Sequence, residues 1–146
     1  MINADIAAIL RSARIIAVVG LSAKSHRPSH EVAAYMQQQG YRIVPVNPME
    51  EGSTILGEHC HASLAEAAQA VQRQGARIDI VDCFRRSDDI PPIVDEAIRL
   101  GLDCVWMQQG VIHLQAAEKA AAAGIKVVMD RCVKLDHLIF NIARKA

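Results

Sequence analysis

Ten residues near the amino terminus, Gly20-Leu21-Ser22-Ala23-Lys24-Ser25-His26-Arg27-Pro28-Ser29, combine a glycine and three serines with a lysine and an arginine. That mixture is the chemistry of anion binding. Glycine lets the backbone come close, hydroxyls and cations donate, and a helix opening near Ser29 or His30 adds unpaired amides and the positive end of its dipole. Ser29 has the residue type of an N-cap, and Pro28 bars the helix from extending backwards. Two familiar phosphate signatures are missing: G-x-G-x-x-G needs glycine at 22 and 25, where serines stand, and no P-loop pattern occurs. The second strand ends in Asn47 rather than in the acid that takes a ribose 2′-hydroxyl of NAD, although Glu50 and Glu51 follow closely. An NAD(P)-dependent enzyme, or a subunit of one, is therefore the weaker alternative. A nucleotide with an extra phosphate is compatible, because uncharged Asn47 does not repel it.

Other reactive types are scattered. Cys60, Cys83, Cys104 and Cys132 form no C-x-x-C pair, and Met1-Ile2-Asn3-Ala4-Asp5 has no basic segment leading into a long apolar one, so reduced thiols in a cytoplasmic protein are expected. In Asp130-Arg131-Cys132 a cation adjoins the thiol, which would lower its pKa and allow a disulfide with a ligand thiol; the competing reading is a structural thiol in a loop braced by Asp130 and Arg131. His59-Cys60-His61 is the one cluster of metal-ligand types, but adjacent ligands point different ways and no second pair has zinc spacing, so no metal is expected. His26, His30, His59, His61, His113 and His137 form no nucleophile, base and orienter pattern. No catalytic residue is assigned, and the chain is expected to bind rather than to catalyse.

The elements that must position the loop follow from a phrase that recurs four times, in which a helical stretch ends at a glycine and an apolar strand follows. Gly40, Gly75, Gly101 and Gly124 mark it, each suited to the left-handed position past a helix C-terminus. The expected strands are 15–19, 42–46, 78–82, 103–107 and 126–129, and most are continuously apolar, as in a parallel sheet covered on both faces. Helices are expected near 3–12, 30–39, 63–74, 89–100, 113–123 and 133–144. The stretch 48–62, where Gly52 and Gly57 flank Thr54-Ile55-Leu56, reads as a very short edge strand or a loop. Alternation with short connections implies right-handed crossovers. The fold class is α/β: a Rossmann-like, doubly wound, mainly parallel sheet of five to six strands flanked by helices, one domain over all 146 residues.

In such sheets ligands bind beyond the carboxyl ends of the strands, near the switch point. Those ends hold Gly20-Leu21-Ser22, Asn47-Pro48, Asp82-Cys83-Phe84-Arg85-Arg86, Gln108-Gln109-Gly110 and Asp130-Arg131-Cys132. Arg85 is expected to face the ligand, while Ser87 caps the next helix and Asp88 and Asp89 point outward. Acidic and basic residues balance at 16 each with no run of like charge, so neither nucleic acid nor a membrane surface is expected as a partner.

Five segments together, Val18 through Ser22, Tyr41 through Pro48, Val81 through Arg85, Val105 through Gly110 and Asp130 through Cys132, resemble the CoA-binding domain family related to the amino-terminal domain of the succinyl-CoA synthetase α subunit, in its stand-alone branch. The resemblance runs from 14 to 134. It implies coenzyme A or an acyl-CoA as ligand, with Gly20, Ser22 and Lys24 on its phosphates and Leu21 in the same segment. Arg27 matches only as a basic residue in a variable loop. Val46, Asn47 and Pro48 would border the adenosine, Phe84 and Arg85 would line the same cleft, and Gln108 and Gly110 would lie along the pantetheine or pyrophosphate path. Trp106 sits just beneath them, in the cleft or in the core. The synthetase's nucleophilic histidine belongs to a second domain and has no counterpart in these residues. The expected role is a sensor, carrier or regulatory module; a regulatory protein would dock on another protein through the exposed face of helix 133–144, and the protein partner or homo-oligomer is unidentified.

Overall fold

The computed structural model describes residues 5–146; positions 3 and 4 of the first expected helix lie outside them. In chain order the elements are α1 (Ile6–Ser12), β1 (Ile15–Val19), α2 (Pro28–Gln38), β2 (Arg42–Val46), β3 (Thr54–Ile55), β4 (Glu58–His59), α3 (Leu64–Arg73), β5 (Ile80–Cys83), α4 (Ile90–Arg99), β6 (Cys104–Met107), α5 (Leu114–Ala122), β7 (Lys126–Val128) and α6 (Val133–Ile139). Five strands form one sheet in the order β2-β1-β5-β6-β7, and every pairing is parallel. Parallel pairing requires crossovers, and the helices supply them. Residues of α3, α4 and α5 bury their apolar stripes on one face of the sheet, while α1, α2 and α6 cover the other. Strands β1, β5 and β6 are buried along their whole lengths, which is why they read as apolar runs, interrupted in β5 by Asp82. No helix among the described residues is long and apolar enough to cross a membrane.

The chain leaves β1 toward β2 on one side and returns to β5 on the other, so the switch point lies between β1 and β5. The irregular stretch 48–62 resolves into a 3-10 turn, Pro48–Glu50, and an antiparallel hairpin of β3 with β4. Leu56 and Gly57 both have positive φ, 53° and 79°, as a two-residue primed turn demands. The hairpin is tied to β2 by a bridge between Val46 and His61.

Several expected elements are trimmed by a residue at an end, as at Cys104–Met107 and Lys126–Val128, and two are cut back further. The strand expected at 78 begins at Ile80, because the Asp79 carboxylate accepts the backbone N–H groups of Arg14 and Ile15, at 2.8 and 2.9 Å. The terminal helix stops at Ile139. Asn141 turns left-handed, with φ 51°, and its N–H and that of Ile142 bond back to Leu138 and His137, closing the helix five residues before the expected end.

Candidate functional site

The loop after β1 is fixed by a close approach of backbones. Gly20 has φ +92°, and a Cβ there would sit 2.2 Å from the Phe84 carbonyl oxygen at the end of β5. Only glycine lets the two strand ends cross this tightly. The Gly20 N–H donates to Val46 O at 2.7 Å, and Asn47 Nδ2 donates to Leu21 O at 3.0 Å. Asn47 Oδ1 meanwhile accepts from Met49 N and starts the 3-10 turn. Both ends of the Asn47 amide are therefore spent, one on holding the β1 loop against the end of β2 and the other on the turn that follows.

Within the loop, most amides have partners. Ser22 N donates to Ser29 Oγ at 3.0 Å, and Lys24 N to Ser22 Oγ at 3.1 Å. Ser29 is thus a loop brace rather than the expected N-cap; α2 starts at Pro28, with Arg27 in the cap position and no side chain bonded to it. Ala23 N donates to Glu50 Oε2 at 3.0 Å. A carboxylate already occupies one anion position of the loop. The side chains of Lys24 and Arg27 have no partner among the described residues and line the same cleft.

Three cavities meet here. The first, about 430 Å³, lies over the loop and is lined by Gly20, Ser22, Lys24, Arg27, Asn47 and Phe84, with Ser29, Met49 and Glu50. The second, about 330 Å³, lies toward α3 and α4 and takes Val46, Pro48 and Arg85, with Ser63, Leu64 and Ile93. The third, about 520 Å³, is largely apolar and runs from Pro28 and Val32 past Phe84 and Arg85 to Gln108, Val111 and Cys132. Phe84 walls the first and third, and Arg85 the second and third. Arg85 keeps a loose pairing with Asp89, 3.8 Å away. A larger hollow, about 600 Å³, lies at the opposite end of the sheet between α3 and α4; its one cation, Arg77, is committed to Asp103 at 3.0 Å.

Of the expected residues, Gly20, Ser22, Lys24, Arg27, Val46, Asn47, Pro48, Phe84, Arg85 and Gln108 line these cavities. Leu21 and Gly110 do not. Leu21 is fully buried in the core and reaches the rim only through its carbonyl. Gly110 is an exposed turn residue with φ 85° whose N–H bonds Asp130 Oδ1 at 2.7 Å. Trp106 is a core residue, wholly buried, with Nε1 donating to Arg131 O. Ser87 does not cap α4; its hydroxyl accepts from Ile112 N and ties two rim loops together.

Behind the third cavity lies a buried acid to which the residue pattern assigns no role of its own. Asp82 is 1 % exposed and accepts a 2.6 Å bond from Gln108 Nε2. Burial pushes its carboxyl up to about 7, only partly offset by that bond. The signal was an acid in the middle of Ile80-Val81-Asp82-Cys83, a strand covered on both faces. The buried side-chain polar atom left without a partner among the described residues is His137 Nε2.

Arg131 does not flank the Cys132 thiol as an activating cation. Its guanidinium grips buried Asp136 through two bonds of 2.7 and 2.6 Å. Cys132 itself is half-buried, whereas Cys60, Cys83 and Cys104 are fully buried, and all four are free. His113 caps α5 through Nδ1, and His137 is bonded to the Tyr35 hydroxyl. His59 and His61 stack edge to face, and no group of three metal-ligating side chains occurs among the described residues.

Comparison with known proteins adds the family. The sequence model described as "CoA binding domain" matches residues 14–138. Uncharacterized protein YneT of Bacillus subtilis (strain 168) is 38 % identical over 137 residues, covering 94 % of this chain and 95 % of that one. Among solved structures, cell-free ID.343 from Thermus thermophilus superposes with a TM-score of 0.81 at 35 % identity, covering 91 % and 94 % of the two chains. A hypothetical protein from Pyrococcus horikoshii OT3 gives 0.83 at 32 % identity, over 94 % and 90 %.

Proposed function

Because this chain belongs to the CoA-binding domain family, we propose that it binds coenzyme A or an acyl-CoA along the strand-end rim, as a sensor, carrier or regulatory module and without turning it over. One observation carries the reading: a polar cavity with two unpaired cations and an apolar cavity share the Phe84 wall. That pairing suits a ligand with a charged nucleotide end and a long, weakly polar arm. In this reading the diphosphate lies against Gly20, Ser22 and Lys24, with Arg27 at the edge. The adenosine occupies the cavity of Val46 and Pro48, and the pantetheine follows Phe84 and Arg85 to Gln108. A cation on a phosphate contributes roughly 1.5 to 3 kcal/mol, so two such side chains account for a useful share of micromolar binding. The commitment of His113 to a helix cap and of His137 to Tyr35 fits a binding role, and four free cysteines fit a reducing, cytoplasmic setting.

Isothermal titration with coenzyme A, acetyl-CoA, NAD and ATP tests the reading. Binding of the two CoA species, and weaker or no binding of the others, is the expected result. No heat from either CoA species at millimolar concentration would overturn it, and preference for NAD would restore the dinucleotide alternative.

A further inference from the structure

The inner face of α6 holds a histidine whose ring is sealed in the fold and only half bonded. His137 is 2 % exposed. Its Nδ1 lies 2.8 Å from the Tyr35 hydroxyl of α2, and its ring stands edge-on to those of Tyr35 and Tyr41, with centroids 5.4 and 5.9 Å away. Nε2 has nothing to bond among the described residues. A neutral imidazole tolerates one idle nitrogen. An imidazolium does not: both nitrogens then carry protons, and a buried charge without an acceptor is penalised far more than a buried neutral group.

The charges around the ring have the wrong sign or are already used. From the segment after α6 comes Lys145, whose Nζ lies 4.8 Å from the Tyr41 ring centroid and donates to Arg11 O of α1. From α6 itself comes Lys134, over the Tyr35 ring at 5.4 Å. The neighbouring carboxylate, Asp136, is taken by Arg131 through two bonds. Asp5 and Arg11 of α1 and Glu31 of α2 are exposed to solvent. Both tyrosines stay neutral, since burial raises their hydroxyls above the ordinary 10. Burial and the Lys145 charge hold the imidazole below its ordinary 6.5. Little else secures α6. It is seven residues long, too short to persist alone in water, and Leu135, Leu138, Ile139 and Phe140 point outward. Its inner face is Val133, Asp136 and His137, packed on α1 and α2.

We propose that His137 is a pH-sensitive latch: in mildly acidic solution its protonation releases α6 and the segment 140–146 from α1 and α2, while the sheet and the loop after β1 stay folded. The release opens one wall of the third cavity, because Cys132 at the start of α6 lines it. The latch does not depend on what that cavity binds. A released His137 takes up a proton near 6.5 and the docked one only at lower pH. Docking is therefore at full strength above 6.5 and weakens by up to about tenfold per unit as pH falls below it, until the docked ring also protonates.

Hydrogen exchange of the whole chain, read by mass spectrometry near pH 8 and near pH 5.5 and corrected for the intrinsic exchange rate at each pH, tests the latch. Protection over residues 133–142 should fall about tenfold at the lower pH, while β1, β5 and β6 keep theirs. His137→Gln, whose neutral amide can still bond the Tyr35 hydroxyl, should show no such fall. In the wild type, an NMR titration of the histidine rings should place His137 below 6.5, and this measurement decides if the glutamine variant does not fold. Equal protection at both pH values, the same loss in His137→Gln, a loss shared evenly by the sheet, or a His137 ring that titrates at 6.5 or above would each overturn the latch.

Discussion

Replacing Glu50 by glutamine should strengthen CoA binding, although it removes a polar charge from the binding cleft. Glu50 Oε2 accepts from Ala23 N at 3.0 Å inside the phosphate loop, so a phosphate using that amide must displace the carboxylate or sit about 4 Å from it. Two unit charges at that distance repel by about 1 kcal/mol in water and about 4 kcal/mol at an effective dielectric constant near 20. Glu50 is half-buried at the cleft edge, so a value of about 1.5 to 2.5 kcal/mol lies between those limits, corresponding to a gain of roughly ten- to seventyfold. Glutamine keeps the shape and an acceptor for Ala23 while removing the charge. Titration of E50Q with CoA at low and high salt reads the effect, which should shrink as salt screens the charges. Tenfold weaker binding would refute the reasoning and make Glu50 an acceptor for a ligand hydroxyl.

Three further outcomes follow from the geometry. Lys24→Ala should weaken CoA binding about tenfold at low ionic strength and less in high salt, as the loss of one cation to phosphate contact requires; titration across a salt series checks it. Gly20→Ala should destabilise the fold on the order of 3 kcal/mol, because the new Cβ meets the Phe84 carbonyl at 2.2 Å on top of a positive φ, whereas Gly75→Ala, with nothing within 4 Å, should cost only about 1 to 2 kcal/mol; chemical denaturation compares them. Burial raises the Asp82 carboxyl from 3.8 to about 7, so between those values the folded chain keeps a proton that the unfolded chain has released. Stability from this site is full below the lower value, declines as pH climbs to the upper one, and is constant beyond. Denaturant midpoints near pH 5 and pH 8 should therefore differ more in the wild type than in Asp82→Asn, and equal differences in the two would refute the buried acid.

Where an element is covered on both faces, its residues alone were legible: Ile15–Val19 and Arg42–Val46 coincide with the expected strands, because continuous burial leaves a continuous apolar run. Ends were harder. Asp79 reads as a strand residue by type but spends its carboxylate on the amides that open β1, a contact across 64 and 65 positions that no local pattern carries. Ser29 and Ser87 have the residue type and place of N-caps, and both instead brace a rim loop; the same hydroxyl satisfies either amide, and only the packed loop decides. Gly20 was legible as a turn, while the reason for it, the Phe84 carbonyl, lies in another strand. Lys24 and Arg27 were legible because exposed cations in a glycine-serine loop have few other uses. Glu50 reads as an acid near the end of β2, but its place on Ala23 needs the turn that Asn47 builds.

Phe84 and Arg85 each form part of more than one compartment, and this has a thermodynamic consequence. If CoA binds as proposed, a fragment that settles in one compartment fixes a wall that the next fragment also uses. An adenosine-diphosphate piece and a pantetheine piece should therefore bind with positive cooperativity, each raising the other's affinity by the same factor. Plain nucleotides, which lack the arm, would forgo that mutual gain and should bind more weakly than coenzyme A.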